Sequence, residues 1–281
     1  MKHAAYTLLI LSSFLVLTAC DGRGKEAAAR LENARSLYEA NEWMAARNEI
    51  DTIRAHYPME TATLREALML IREIERKEAG RNIVYCDSLI PVRQAEAAEA
   101  SAGFVFEKDS AYEETGKYIN RKQTVERNIE RSYIRCGVSE DGRMYLESVY
   151  FGAHPIRHTA IRISRADGIF AETASIAIDG ALNYSFKDGD KTSEIVHYKG
   201  KDGEDAIKFI FSNAGERLKV DYIGGAPYAL YMGDADKEAI AATYNLAAIL
   251  TDIYTLTAER SKAAKRKEYL EGKLEPADLT D

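Results

Sequence analysis

Residues 239–256 have the sequence AIAATYNLAAILTDIYTL, and their spacing decides how the chain folds. Two adjacent apolar stripes follow a helical period: Ile240, Tyr244, Ala247, Thr251 and Tyr254, and Leu246, Ile249, Leu250, Ile253 and Leu256. So wide an apolar face predicts a helix that is buried on two sides. Asn245 and Asp252 make a membrane span the poorer interpretation of this stretch. The helix is predicted from Asp234 to about Gly272 and needs partners from elsewhere in the chain.

A second long helix is predicted from Thr61 towards Glu99, and Pro91 is expected to kink or interrupt it. Its first half has Leu64, Leu68, Ile71 and Ile74 on one face. At 1.5 Å per residue the run would span about 55–60 Å, a length that requires a partner. We expect the two long helices to pair antiparallel.

Two shorter helices are predicted between Lys25 and Tyr57. Their apolar stripes are Ala27, Leu31, Ala34 and Tyr38, and Trp43, Ala46, Ile50, Ile53 and Tyr57. Asn41 separates the helices and Pro58 ends the second. The stretch resembles one tetratricopeptide-type helical hairpin in Leu37, Tyr38, Trp43, Ala46 and Pro58. Because a repeat array needs about three units, a single hairpin has to pack on another part of the chain.

The region from Phe104 to Met232 has the pattern of β-strands. Apolar and charged residues alternate in the runs 207–209 and 218–222, and the runs 144–151 and 161–163 have a similar pattern. Turn dipeptides recur between the runs: Asp141-Gly142, Asp167-Gly168, Asp179-Gly180, Asp188-Gly189 and Asp202-Gly203. The spacing predicts an antiparallel meander of roughly eight or nine strands, as a sandwich or as one strongly bent sheet packed on helices.

These elements together predict an α+β fold, with an antiparallel β region inserted between two long helices. The expected domains are a signal peptide (1–19), a lipidated tether (20–25), a helical hairpin with a long helix (26–101), a β domain (102–232) and a C-terminal helix packing back on the helical region (233–281). A composition of 46% apolar and 30% charged residues is typical of globular proteins.

The first twenty residues indicate export. A basic start at Lys2 leads into a short apolar run that is typical of a secretory signal. The run ends in Leu17-Thr18-Ala19-Cys20, which resembles the bacterial lipobox. The resemblance implies cleavage before Cys20, acylation of that residue and anchoring in a membrane through the acyl chains. We expect the outer membrane, on its periplasmic or surface side, and the inner membrane stays open as the alternative because Asp21 resembles an inner-membrane retention signal of enteric bacteria.

Two further cysteines, Cys86 and Cys136, leave two alternatives open. A disulfide between them would close a loop of about 50 residues and contribute about 4 kcal/mol in an exported protein. Two free buried thiols are the other alternative.

No known catalytic, metal or cofactor motif follows the signal, so no catalytic residue, metal site or cofactor is predicted. His154 and His158 have helical metal-ligand spacing, but Pro155 disfavours a helix, and on a strand they lie about 13 Å apart. No sequence pattern places His197 beside them. A formal net charge of −7 argues against nucleic acid as the partner.

Tyrosines are frequent in the predicted strands and suggest a ligand-binding face, either for a glycan or for an extended peptide. The candidate residues are Tyr145, Tyr150, Tyr184, Tyr198, Tyr222 and Tyr228. The alternative is that these rings complete the core while their hydroxyl groups reach water.

The layout as a whole resembles uncharacterised envelope lipoproteins of gut commensal bacteria. The leading hypothesis is a non-catalytic, lipid-anchored scaffold that binds another envelope protein. The alternatives are a glycan- or small-ligand-binding β module that uses the strand tyrosines, and a hydrolase built from scattered carboxylates with His154 or His158.

Overall fold

The computed structural model describes residues 22–108 and 115–274, so the signal segment and Cys20 lie outside the described residues. The helices are residues 22–39 (α1), Trp43–His56 (α2), Thr61–Ala100 (α3), Lys201–Ser212 (α4) and Asp234–Leu274 (α5). The strands are Phe104–Glu107 (β1), Lys117–Asn120 (β2), Tyr133–Ser139 (β3), Met144–Gly152 (β4), His158–Ser164 (β5), Phe170–Glu172 (β6), Asn183–Asp188 (β7), Lys191–Lys199 (β8), Lys219–Gly224 (β9) and Tyr228–Tyr231 (β10). This mixture of helices and antiparallel sheets confirms the predicted α+β class.

The chain divides into two compact units, and the division falls inside α3 and α5. The first unit contains residues 22–87 and 259–274. Within it, α1 and α2 form a hairpin whose turn places Asn41 at φ 62°, a left-handed conformation that asparagine tolerates. The hairpin packs on the start of α3 through Leu31, Ala34, Ala46, Ile50, Ile53, Ala67, Leu70 and Ile74.

The long helices run antiparallel within the first unit. Arg260 of α5 pairs with Asp87 of α3, and further along the helices Arg266 pairs with Glu75. The later residue of α5 therefore pairs with the earlier residue of α3, which is the order that antiparallel helices require. By length and apolarity alone α5 would also suffice to cross a membrane.

Of the two expected effects of Pro91, a kink or an interruption, the interruption is wrong, because α3 continues from Thr61 to Ala100. An interior proline costs one backbone hydrogen bond and introduces a steric clash. Beyond it, Ala97 and Ala100 pack on α5 beside Leu246 and Leu250, and these contacts hold the last turns in helical form.

The second unit, residues 88–258, contains two antiparallel sheets. One has the strand order β1-β2-β3-β4-β8-β7 and the other β10-β9-β5-β6. Both sheets, α4 and α5 contribute to one core, whose largest fully buried side chains include Ile134, Leu146, Ile161, Tyr198, Ile210 and Ile240. The β region is therefore two packed layers and not one bent sheet.

Tight turns join several of the strands where the dipeptides predict them. Gly142 lies between β3 and β4 at φ 83°, and a Cβ there would overlap with α5 at Thr251 and Ala247. Gly189 lies between β7 and β8 at φ 59°. Glycine adopts these angles without strain, and at Gly142 it also lets the turn approach the helix closely.

The strand predicted at 207–209 is wrong, because these residues belong to α4. Ala206, Ile207 and Ile210 are buried at the three- and four-residue spacing of a helix, which outweighs a three-residue alternation. The expected turn at Asp202-Gly203 is the first turn of the same helix. Gly203 contacts Tyr198 and Leu146 so closely that a side chain would not fit without a shift.

Candidate functional site

Strands β4 and β8 place two glutamates, each paired with a histidine, on opposite faces of the six-stranded sheet. In their register, Glu147 lies opposite His197 and Tyr150 lies opposite Glu194. Because successive side chains of a strand point to opposite faces, Glu147 and Ser148 face opposite ways. We call the pair His158–Glu194 the inner pair, since it lies in the core, and the pair His197–Glu147 the outer pair.

The inner pair forms part of a chain of hydrogen bonds. His158 Nδ1 lies 2.9 Å from Glu194 Oε2, and His158 Nε2 lies 2.8 Å from Ser148 Oγ. The hydroxyl of Tyr198 lies 3.1 Å from the same Ser148 oxygen. Burial alone would raise the pKa of Glu194, but hydrogen bonds from His158 and from backbone amides outweigh it and hold that pKa below its ordinary value. The carboxylate is therefore ionised at neutral pH, and Nδ1 donates to it.

Glu194 also fixes the loop that leads into β5. Its Oε1 accepts the backbone N–H groups of Ile156 and Arg157 at 2.7 and 2.8 Å, and its Oε2 accepts that of His158 at 3.1 Å. Arg157 has a φ of 52°, an uncommon angle for a residue with a side chain. Four donors therefore converge on one carboxylate and stabilise this loop.

The order serine, histidine, glutamate is the arrangement in which a base activates a nucleophilic hydroxyl. Here Ser148 and His158 have no exposed surface and Glu194 is only 3% exposed. A substrate carbonyl cannot reach Ser148 Oγ in this arrangement. The inner pair holds two sheets and a loop together.

The outer pair is extended by two neighbouring side chains, Arg135 and Tyr184. His197 Nδ1 lies 2.7 Å from Glu147 Oε1, and Arg135 binds the other carboxylate oxygen. The ring of Tyr184 stacks on His197 with centroids 5.7 Å apart. Burial would raise the pKa of Glu147, but the hydrogen bond from His197 and the charge of Arg135 keep it below its ordinary value.

A pocket of about 260 Å³ opens beside the outer pair, and we call it the outer pocket. Its floor includes Val149 and Ile195, and its remaining lining includes Ile129, Arg131, Tyr133, Arg135, Tyr184 and Phe186. Ile129 is 68% exposed and Phe186 is 52% exposed. An apolar rim next to arginine and tyrosine side chains is the composition of a protein-binding site.

A larger pocket of about 500 Å³ lies between α4, α5 and the β3–β4 turn. Its charged side chains already have partners, since Arg143 pairs with Asp141, Lys208 with Glu204, and Asp252 with Arg93. The arginines of the outer pocket are paired as well, Arg131 with Asp236 and Arg135 with Glu147. What distinguishes the outer pocket is its exposed large apolar side chains, Ile129 and Phe186, which the larger pocket lacks.

The predicted tyrosine face is wrong for three of its six members. Tyr150, Tyr198 and Tyr222 are at most 6% exposed. Their hydroxyl groups bond inside the core, for example Tyr150 to the His154 carbonyl at 2.8 Å and Tyr222 to the Val149 carbonyl at 3.0 Å. Buried hydroxyl groups with internal partners are stable without reaching water.

The other three candidates, Tyr145, Tyr184 and Tyr228, are half-buried. Tyr228 packs against Tyr150 and Tyr222, away from the outer pocket, with ring centroids 4.9 and 5.2 Å apart. Tyr184 alone of the six lines the outer pocket. The sequence pattern could not separate these environments, because all six residues lie in or beside strands.

The histidine and cysteine predictions resolve as follows. His154 is exposed while His158 is buried, and no group of potential metal ligands occurs within the described ranges. Cys86 and Cys136 are both buried free thiols, so the structure has the second of the two alternatives and not the disulfide. Burial raises the pKa of Cys136 to about 12, which leaves the thiol protonated and unreactive.

Comparisons of the chain with models of protein families, with curated proteins and with solved structures find no match.

Proposed function

We propose that this protein is a non-catalytic, lipid-anchored protein of the bacterial cell envelope, and that its second unit binds another envelope protein. The observation that carries the proposal is the outer pocket, where exposed Ile129 and Phe186 lie beside Arg131, Tyr133 and Tyr184. Arginine and tyrosine beside an apolar contact dominate the energetics of protein interfaces.

The anchor in this proposal is Cys20, and its support is the sequence Leu17-Thr18-Ala19-Cys20 at the end of a signal segment. We place the anchor in the outer membrane, with the inner membrane as the alternative that Asp21 suggests. Several acyl chains give stable anchoring where a single chain does not. Mass spectrometry of the purified protein should find a triacylated or diacylated Cys20 as the first residue.

Binding explains the two faces of the six-stranded sheet better than hydrolysis or glycan recognition does. The serine that would serve a hydrolase is sealed in the core. A glycan site needs several exposed rings on one face, whereas Tyr150, Tyr198 and Tyr222 are buried.

Site-specific photo-crosslinking tests the proposal in living cells. A photo-reactive amino acid at Ile129 should give one discrete crosslinked species, and the same amino acid at Tyr254, which is 59% exposed on α5, should not. The additional change Tyr184→Ser should reduce the Ile129 product about tenfold, in line with the loss of an interface anchor. Equal products at both positions, or no product at Ile129, would reject the proposed binding surface.

A further inference from the structure

The strand β7 is an open edge of the six-stranded sheet. Within the described ranges it pairs with β8 alone. Its six residues make it longer than the other edge strands, since β1 and β10 have four residues each and β6 has three. Soluble proteins usually shorten or shield such edges, because the free backbone groups attract another strand. On β7, Phe186 instead remains 52% exposed.

Pockets flank β7 on both of its faces. Tyr184, Phe186 and Asp188 line the outer pocket. Asn183, Ser185 and Lys187 line a second pocket of about 300 Å³ on the other side, which we call the edge pocket, and Phe186 borders both pockets. A strand added beside β7 would send alternate side chains to these two faces. Alternating pockets along an open edge are the arrangement by which sheets bind extended peptides.

The charges of the edge pocket indicate which side chains it accepts. Arg157 and Lys187 line it, both are exposed, and neither pairs with a carboxylate in the part of the chain that the structure describes. Glu194 is the acidic member of the lining, and both of its oxygens are engaged by the inner pair and by the β5 loop. Positive charge therefore exceeds negative charge, and an acidic side chain is the complementary ligand.

The outer pocket accepts a different kind of side chain. Its apolar members Ile129, Val149 and Phe186 provide contacts for an aliphatic or aromatic group. Arg135, which also lines it, is already bound to Glu147. A residue facing this pocket is therefore apolar, while its neighbours in sequence face Arg157 and Lys187.

We propose that β7 binds an extended segment of a partner protein as an added strand, with acidic side chains in the edge pocket and apolar side chains in the outer pocket. This inference rests on the proposed function and names the chemistry of its partner. Asn183 already donates its backbone N–H to Asp179 and accepts the N–H of Gly180. The free part of the edge is therefore Tyr184–Asp188, about 17 Å of strand, and a segment of about five residues covers it.

Fluorescence anisotropy with the mature full chain tests the inference directly. The probe is a fluorescein-labelled hexapeptide in which valine and aspartate alternate. It should bind, whereas a peptide with lysine in place of each aspartate should bind at least about tenfold more weakly. Methylation of alternate backbone nitrogens in the valine–aspartate peptide should also abolish binding, because strand addition depends on main-chain hydrogen bonds.

Matched variants separate the edge pocket from general charge effects. Lys187→Glu should weaken binding of the valine–aspartate peptide at least about tenfold. Lys199→Glu makes the same charge change at the far, exposed end of β8 and should leave the affinity within about twofold. Both positions are exposed, so both variants should keep the wild-type circular dichroism spectrum.

Three results would overturn the inference. The first is equal binding of the aspartate and lysine peptides, and the second is an equal effect of the two variants on binding. The third is a concentration-dependent dimer in sedimentation that Lys187→Glu dissociates, because a second copy of the chain would then occupy β7. If the Ile129 crosslink forms while the peptide fails to bind, the proposed function is retained and the proposal of strand addition at β7 is rejected. If both are absent, both proposals fall.

Discussion

The inner pair and the outer pair use the same two residue types and share strand β8, yet they differ in what surrounds them. His158 has no exposed surface, whereas the side chain of His197 is 21% exposed. Glu194 is held by backbone amides and a histidine, whereas Glu147 is held by a histidine and an arginine. One face of the sheet therefore stabilises the fold, while the other carries the surface that we propose for a partner.

The largest expected effect separates the two glutamates. Glu194→Gln replaces a charged acceptor of four hydrogen bonds inside the core and should lower the free energy of unfolding by about 3–5 kcal/mol. Glu147→Gln should cost less, because Arg135 and His197 can turn towards water. Urea unfolding followed by tyrosine circular dichroism measures both. A loss for Glu147→Gln that equals or exceeds the loss for Glu194→Gln would contradict the distinction.

Acid should destabilise the protein through the same glutamates. The pKa values of Glu194 and Glu147 are both below their ordinary value in the folded chain. Their contribution is therefore fully present above about pH 4.3, the unfolded value, and is lost as the pH falls through the folded values. Each pKa unit of difference between the folded and the unfolded chain corresponds to about 1.4 kcal/mol of unfolding free energy. Unfolding free energies between pH 2.5 and pH 6 should fall less steeply in Glu194→Gln than in wild type, and identical slopes would refute the assignment.

The smallest expected effect concerns Ser148. Ser148→Ala removes a hydroxyl group between His158 and Tyr198 and should cost about 1–3 kcal/mol, because both partners lose a hydrogen bond. Wild-type protein should not react with a fluorophosphonate probe, since the serine is sealed. Labelling that disappears in Ser148→Ala would show that the inner pair is accessible and would restore the hydrolase hypothesis.

The sequence was informative where a pattern is local. The apolar and aromatic run 144–151 predicted β4, and the stripes between Lys25 and Tyr57 predicted the helical hairpin, because each pattern is longer than a chance run. The three residues 207–209 gave a strand in error, since so short a run fits both periods. The continuity of α3 through Pro91 depends on Ala97 and Ala100 packing against α5, which local sequence does not contain.

The candidate site was largely hidden from the sequence. Glu194 follows His158 by 36 residues, and only the pairing of β4 with β8 and the path of the β5 loop bring it together with His158 and Ser148. The two pockets beside β7 likewise depend on Arg157 and on Ile129, which come from other loops. The number of tyrosines in the strands suggested a binding face, but the sequence does not show which of these tyrosines are buried and which line a pocket.

Hydrogen exchange of the full mature chain, with and without saturating valine–aspartate peptide, tests the central claim most directly. The account predicts that exchange slows at backbone amides between Tyr184 and Asp188, because an added strand protects an open edge. Amides of Ile156, Arg157 and His158, which Glu194 already holds, should keep their rates. Unchanged rates in β7, or protection confined to another part of the chain, would contradict the claim that this edge is the binding surface.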